Sequence, residues 1–163
     1  MVTQEDIWRE LQTICDPEIP QLTITDMGIV ADVQLDSQQG RVLVKITPTF
    51  VGCPATALIC SEIEERLRRL PLREVRVEVT YDPPWNTNRL SERAREVLRR
   101  FGIAPPPLYE GPEFPLSLLQ EPVECPYCGS METQLRSPFG PTLCRAIYYC
   151  TACGQAFEQF KPV

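Results

Sequence analysis

The chain contains no histidine among its 163 residues. That absence removes Ser–His and Cys–His nucleophile pairs, histidine-ligated catalytic zinc and the usual general base. It also removes the Glu-x-x-His helices of a di-iron oxygenase. No nucleotide or flavin fingerprint is present, so a reductase cofactor site is missing too. Long apolar runs are absent: none approaches the ~20 residues of a membrane span. The opening MVTQEDIWRE is acidic where a signal peptide would be basic and then apolar. The expectation is a cytoplasmic protein with no membrane partner. Positive charge is scarce as well. Lys and Arg number 16 against 22 Asp and Glu, a net charge of -6, which opposes non-specific nucleic-acid binding. Any chemistry must therefore use thiols, carboxylates or hydroxyls.

Against these absences stand eight cysteines, in a chain with 43% hydrophobic residues and so enough apolar material for a core. In such a context cysteines point to metal or redox chemistry more than to disulfides. Cys125-Pro126-Tyr127-Cys128-Gly129 and Cys150-Thr151-Ala152-Cys153-Gly154 are two knuckles, with 21 residues between Cys128 and Cys150. In each, two thiolates one tight turn apart reach the same metal, and the glycine permits the positive φ of the turn. Four thiolates make a closed tetrahedral shell, the structural type for zinc. A rubredoxin-like iron centre uses similar spacing. A filled shell leaves no open coordination position, so the metal's role is to staple a module too small to fold alone. Leu135, Leu143, Ile147 and Tyr149 belong to the ribbon's hairpin, and Phe157 and Phe160 pack under it.

Residues 104–122 carry six prolines (Pro105, Pro106, Pro107, Pro112, Pro115 and Pro122), too many for a helix or central strand. The sequence therefore divides into a domain over 1–103, a Pro-rich linker over 104–122 and the ribbon over 123–163. In the first domain Ile7, Leu11 and Ile14 recur at helical spacing and predict a helix ending before Pro17. Ile29, Ala31, Val33 and Leu35, then Val42, Val44 and Ile46, predict two strands joined by a hairpin at 36–40. Ile59, Ile63, Leu67 and Leu70 mark a second helix with Pro54 at its first position. Val75, Val77 and Val79 form a third strand, and Ser91 caps a last helix that buries Val97, Leu98 and Phe101 before Gly102. The fold class is α+β: a small three-stranded sheet covered by helices in the order α-β-β-α-β-α, followed by the ribbon.

On this reading Cys53, in the run Thr47-Pro48-Thr49-Phe50-Val51-Gly52-Cys53-Pro54, falls at the helix N-cap. There the unpaired N–H groups favour a thiolate, so its pKa should fall. Such a thiol can be a nucleophile, a redox group or a ligand for a transferable metal centre; it can equally be a small buried side chain. Cys60 lies about two helical turns on, ~10 Å away, too far for a compact site with Cys53. Cys60 and Cys15 read as packing residues. Cys144, outside the CxxC pairs, is either buried or a free thiol beside the metal. Asp16-Pro17-Glu18 and Asp26-Met27-Gly28 are carboxylate turns. Asp16, Glu18 and Asp26 can gather near Cys53 at one end of the sheet, or simply hold their turns through backbone N–H groups.

DPEIP, TDMGIV and a Thr-containing strand ending in GCP resemble the metal-sulfur cluster assembly family that includes SufT-type proteins. YDPPWNTNRLSERAREVLRRFGIAPP and the ribbon CPYCGS…LCRAIYYCTACGQAFEQFK are similar to the PaaD family of bacterial phenylacetate degradation, over nearly the whole chain. The resemblance implies an accessory or maturation role beside phenylacetyl-CoA epoxidase, a di-iron monooxygenase fed by an iron-sulfur reductase. Its partners would be those oxygenase and reductase components. It also implies that Cys53 is the functional thiol, with Asp16, Glu18, Asp26, Thr47 and Thr49 around it. The ribbon cysteines and Cys144 match directly; Cys15 and Cys60 acquire no role. One thiolate holds no stable cluster, so a transient iron or iron-sulfur centre would need ligands from a client or from a second subunit in a homodimer. A thiol-redox protein using Cys53 and a non-catalytic zinc-ribbon adaptor are the other two readings.

Overall fold

The computed structural model describes residues 1–111 and 116–162. Within them the chain forms two compact units, Met1–Trp85 and Asn86–Val163. Pro112 and Pro115 of the expected linker lie outside the described residues.

In the first unit, helix α1 (Gln4–Leu11) starts on a reciprocal cap. The Thr3 hydroxyl accepts the Asp6 N–H at 3.2 Å, and the Asp6 carboxylate accepts the Thr3 N–H at 2.9 Å. The helix ends sooner than the apolar spacing predicts. Thr13 and Ile14 bond back to Glu10 and Leu11 in tighter turns, and the Thr13 hydroxyl also donates to the Glu10 carbonyl at 2.7 Å. Ile14 is nonetheless buried with Ile7 and Leu11. Strands β1 (Val30–Asp36) and β2 (Arg41–Ile46) pair antiparallel, with Val33 opposite Val44 and Leu35 opposite Val42. Asp36 closes the hairpin by accepting the N–H groups of Gln38 and Gln39. Helix α2 (Thr56–Leu67) then crosses over to β3 (Glu74–Val79), which lies parallel to β2. The sheet order is β1-β2-β3, as the α-β-β-α-β pattern implies. Ile59, Ile63 and Leu67 form the buried side of α2; Glu62–Arg66, Glu64–Arg68 and Glu65–Arg69 pairs line its outside. Trp85 is buried and its indole N–H donates to the Met27 carbonyl at 2.8 Å, anchoring the end of the unit to the segment before β1.

The second unit takes in more chain than the ribbon. Helix α3 (Glu92–Arg100), capped by the Ser91 hydroxyl at 3.0 Å from the Ala94 N–H, runs through Gly102 (φ +75) into a short strand β4 (Ile103–Ala104). β4 pairs parallel with β7 (Ala156–Phe160), which pairs with β6 (Arg145–Cys150), which pairs with β5 (Thr133–Ser137). The boundary expected at 103/104 therefore differs from the division after Trp85. An apolar helix face shows that something covers it, not which core that is. Phe101, expected inside, is exposed, while Ala94, Val97 and Leu98 are buried. The Pro-rich stretch is also tied down: buried Arg95 donates to the carbonyls of Pro106 and Thr87, and Asn88 pairs with the Tyr109 backbone. The ribbon core gathers Ala104, Val123, Cys125, Ala146, Tyr148, Cys150 and Phe157, with Tyr148 stacked on Phe157 at 5.8 Å. On β6 the buried residues are Ala146, Tyr148 and Cys150, so Ile147 and Tyr149 occupy the other face, and Leu143 is exposed.

Candidate functional sites: a four-thiol centre and a thiol turn

The two knuckles repeat one geometry. Gly129 donates to the Cys125 carbonyl and Gly154 to the Cys150 carbonyl, each at 2.9 Å and each with φ +73. Cys125 and Cys150 are buried while Cys128 and Cys153 face out. The four Sγ atoms lie within 4.8 Å of one another, with Cys125–Cys153 at 3.8 Å and Cys128–Cys150 at 3.6 Å. A tetrahedral zinc with Zn–S near 2.3 Å sets its sulfurs ~3.8 Å apart. The donor set and spacing thus fit a zinc-type ion held by these four residues. The Cys150 thiol is drawn down to about 7, first by the Cys153 N–H. For Cys128 the Ser130 N–H works downward, but desolvation and the neighbouring thiols push the group up to about 12. Cys144 does not stand beside the metal. It precedes β6, and a strand of this length sets it ~20 Å from Cys150. There it is half-buried, 3.0 Å from the Thr142 hydroxyl.

Cys53 departs from the expected helix-cap position. The N-cap of α2 is Ala55, which makes no side-chain cap bond, and Pro54 is not the first helical residue. Two turns precede the helix instead. The Cys53 N–H returns to the Phe50 carbonyl at 3.3 Å, with Gly52 at φ +81 in the third position, as a type II turn requires. The Thr56 N–H then bonds the Cys53 carbonyl at 3.1 Å, so the chain winds once before α2 begins. The helix-end argument for a thiolate therefore does not apply to Cys53. What the turns do is hold a half-buried thiol over a cleft of about 20 Å³, room for one water-sized group.

Asp16, Thr49 and Cys53 line this cleft together with Met27, Ile29, Ile46 and Thr56. Asp16 also holds its own turn, one carboxylate oxygen accepting the Glu18 and Ile19 N–H groups at 2.8 and 2.9 Å. Three of the expected residues are not among the lining. Glu18 is exposed, and Asp26 is bonded to the Thr23 hydroxyl at 2.9 Å. Thr47 is fully buried; its N–H donates to the Ile29 carbonyl at 2.7 Å and its hydroxyl has no hydrogen-bond partner. Sequence reasoning passed over Met27, although it lies inside the TDMGIV motif. The signal was there, since an apolar residue between Asp26 and Gly28 faces a turn whose polar groups are already engaged. Cys60 is half-buried on α2, its thiol pushed up chiefly by desolvation, and Cys15 is half-buried beside an isolated bridge to Thr23. Val51 and Leu58, on either side of the thiol turn, are 76% and 57% exposed.

This arrangement defines a class: a metal-sulfur assembly domain carrying one thiol at a turn, joined to a four-cysteine ribbon. The model of the family described as "Iron-sulfur cluster assembly protein" matches residues 4–79, and that of the "PaaD zinc beta ribbon domain" matches residues 110–161. An Escherichia coli (strain K12) protein named as a component of 1,2-phenylacetyl-CoA epoxidase is 42% identical over 96% of this chain and 91% of its own length. The chain belongs to the PaaD family. A Porphyromonas gingivalis Fe-S protein maturation auxiliary factor is 34% identical over 56% of this chain and 87% of its own. The crystal structure of a DUF59 domain from Bacillus anthracis is similar with a TM-score of 0.54 and 30% identity, covering 58% of this chain and 90% of that one. Among the described residues no helix is long and apolar enough to cross a membrane.

Proposed function

We propose that this protein is an accessory maturation factor for a multicomponent phenylacetyl-CoA epoxidase, assisting iron or iron-sulfur centre assembly through Cys53. The observation that carries the reading is the Cys53 turn. A half-buried thiol, with Asp16 and Thr49, faces a small cleft in the unit that resembles Fe-S maturation factors. A thiolate there is a soft ligand for iron, and the nearby carboxylate is a second, harder donor. The centre is cargo. One cysteine leaves its coordination incomplete, so the client's own ligands complete it and draw it away. Exposed Val51 and Leu58 offer that client an apolar landing beside the thiol. The four-thiol centre plays a separate, structural part by closing the ribbon.

The test is iron and sulfide content of the epoxidase components after co-expression with wild type or Cys53→Ser. The expected result is full loading with wild type and strongly reduced loading with the variant, while zinc per chain stays unchanged. Full loading with Cys53→Ser would sink the assignment. The adaptor reading is favoured by one observation of its own: Tyr127 and Met131, by the first knuckle, are 58% and 57% exposed. On that reading docking follows the ribbon and is indifferent to Cys53.

A further inference from the structure

β3 is an outer strand of the first unit's sheet, and among the described residues no strand pairs with its free side. The Glu74 and Thr80 N–H groups donate inward, to the carbonyls of Gly40 and Ile46. Backbone groups alternate sides along a strand. Glu74, Arg76 and Glu78 therefore bond toward β2, while Val75, Val77 and Val79 present their N–H and C=O groups outward. Such an edge is a template for another strand unless something blunts it, and β3 contains no proline, glycine or lysine. It is open to solvent: Val79 is 41% exposed, and the Arg76 and Glu78 side chains are 65% and 47% exposed.

We propose that β3 pairs antiparallel with β3 of a second copy of this chain, about a two-fold axis through Val77. Two three-stranded sheets then join into one. The charges support this register, and it is the one that also pairs all three valines. With Val77 opposite its own copy, Val75 faces the copy's Val79, and all three are residues whose backbone groups point outward, so hydrogen-bonded pairs form directly. Arg76 then stands opposite Glu78 of the copy, and Glu78 opposite its Arg76. A shift that centres the axis on Arg76 sets Arg76 against itself and Glu74 against Glu78. A shift to Glu78 sets that carboxylate against its own copy. Like charges opposite one another destabilise a pair and unlike charges support it. The valines fall on one face of the joined sheet and the ion pairs on the other. This interface is independent of the role given to Cys53.

Sedimentation velocity of the full chain across the micromolar range tests the pairing. Wild type is expected to dimerise, and Arg76→Glu to weaken the dimer about tenfold by turning two attractive pairs repulsive. The double variant Arg76→Glu, Glu78→Arg restores the opposite-charge pairs and is expected to recover association, an outcome only the Val77-centred register gives. Val77→Pro deletes the central outward donor without touching a bond to β2 and is expected to be monomeric with an unchanged circular dichroism spectrum. Should that variant not fold, the charge reversal and its rescue carry the test. A wild type that stays monomeric overturns the proposal, and so does a dimer indifferent to Arg76→Glu. Protection of the Val75, Val77 and Val79 amides that appears only when epoxidase components are added would give the edge to a client strand and overturn it as well.

Discussion

Gly52 and Thr47 bracket the thiol turn, and each isolates one physical effect. A Cβ on Gly52 would meet nothing within 4 Å, so space is not at issue there. Its φ of +81 is: an L residue in that region pays backbone strain of ~1 kcal/mol or more. Gly52→Ala is therefore expected to lower stability by about 1 kcal/mol in urea unfolding and to reduce maturation through a displaced Cys53 turn. An unchanged midpoint would show that the turn adapts freely and does not fix the thiol. Thr47 poses the opposite case. Its hydroxyl is buried without a hydrogen-bond partner, a state that costs ~1–3 kcal/mol, whereas valine keeps the shape and drops the polar atom. Thr47→Val is expected to leave stability unchanged or raise it by up to about 1 kcal/mol. Retained stability with lost maturation would give that hydroxyl a role in binding cargo; retained maturation would leave Thr47 as packing.

At the scale of elements, the ribbon's dependence on its metal follows from where its cysteines sit. Cys125 and Cys150 are core members alongside Tyr148 and Phe157, so losing the ion leaves thiols repelling or protonating inside the packing of β5–β7. Chelation, or Cys125→Ser, is expected to abolish amide protection in β5, β6 and β7 while β1 and β2 keep theirs. Retained ribbon protection after complete metal removal would show that packing alone suffices. The elements themselves were legible to differing degrees, for physical reasons. Alternating apolar residues marked β1, β2 and β3, because a half-buried strand must repeat every second residue. The knuckles were legible because four thiols at that spacing have few other uses. The start of α2 was not. Pro54 suits a first helical turn and a preceding turn equally, and the choice rests on the Thr56–Cys53 bond. The inner face of β6 was not legible because Ile147, Tyr148 and Tyr149 are all apolar enough to be inside, and only pairing with β5 and β7 sets the phase. Asp16, Thr49 and Cys53 line one cleft, whereas Glu18 and Asp26, drawn from the same motifs, are not among its lining.

At the scale of the whole molecule, the comparisons separate what the family shares from what this branch adds. The share of this chain matched by the Porphyromonas gingivalis factor exceeds the 85 residues of the first compact unit, so the likeness continues past Trp85 toward α3. Yet α3 here leads straight into β4, which is hydrogen-bonded to ribbon strand β7. Two fragments distinguish these claims on α3. The chain cut after residue 103 carries the helix but lacks its ribbon partner strand, whereas the chain cut after residue 85 lacks both. If the helix completes the first domain, as the relatives' length suggests, 1–103 folds with a cooperative thermal transition and 1–85 melts earlier. Equal melting would make α3 wholly a part of the ribbon unit. The longer fragment then tests what the ribbon is for. With the Cys53 cleft and the exposed Val51 and Leu58 present and the four-thiol module absent, 1–103 is expected to keep capture of the epoxidase components in a pull-down. Lost capture would move recognition to the ribbon, where Tyr127 and Met131 are exposed, and favour the adaptor reading over a client seated beside the thiol.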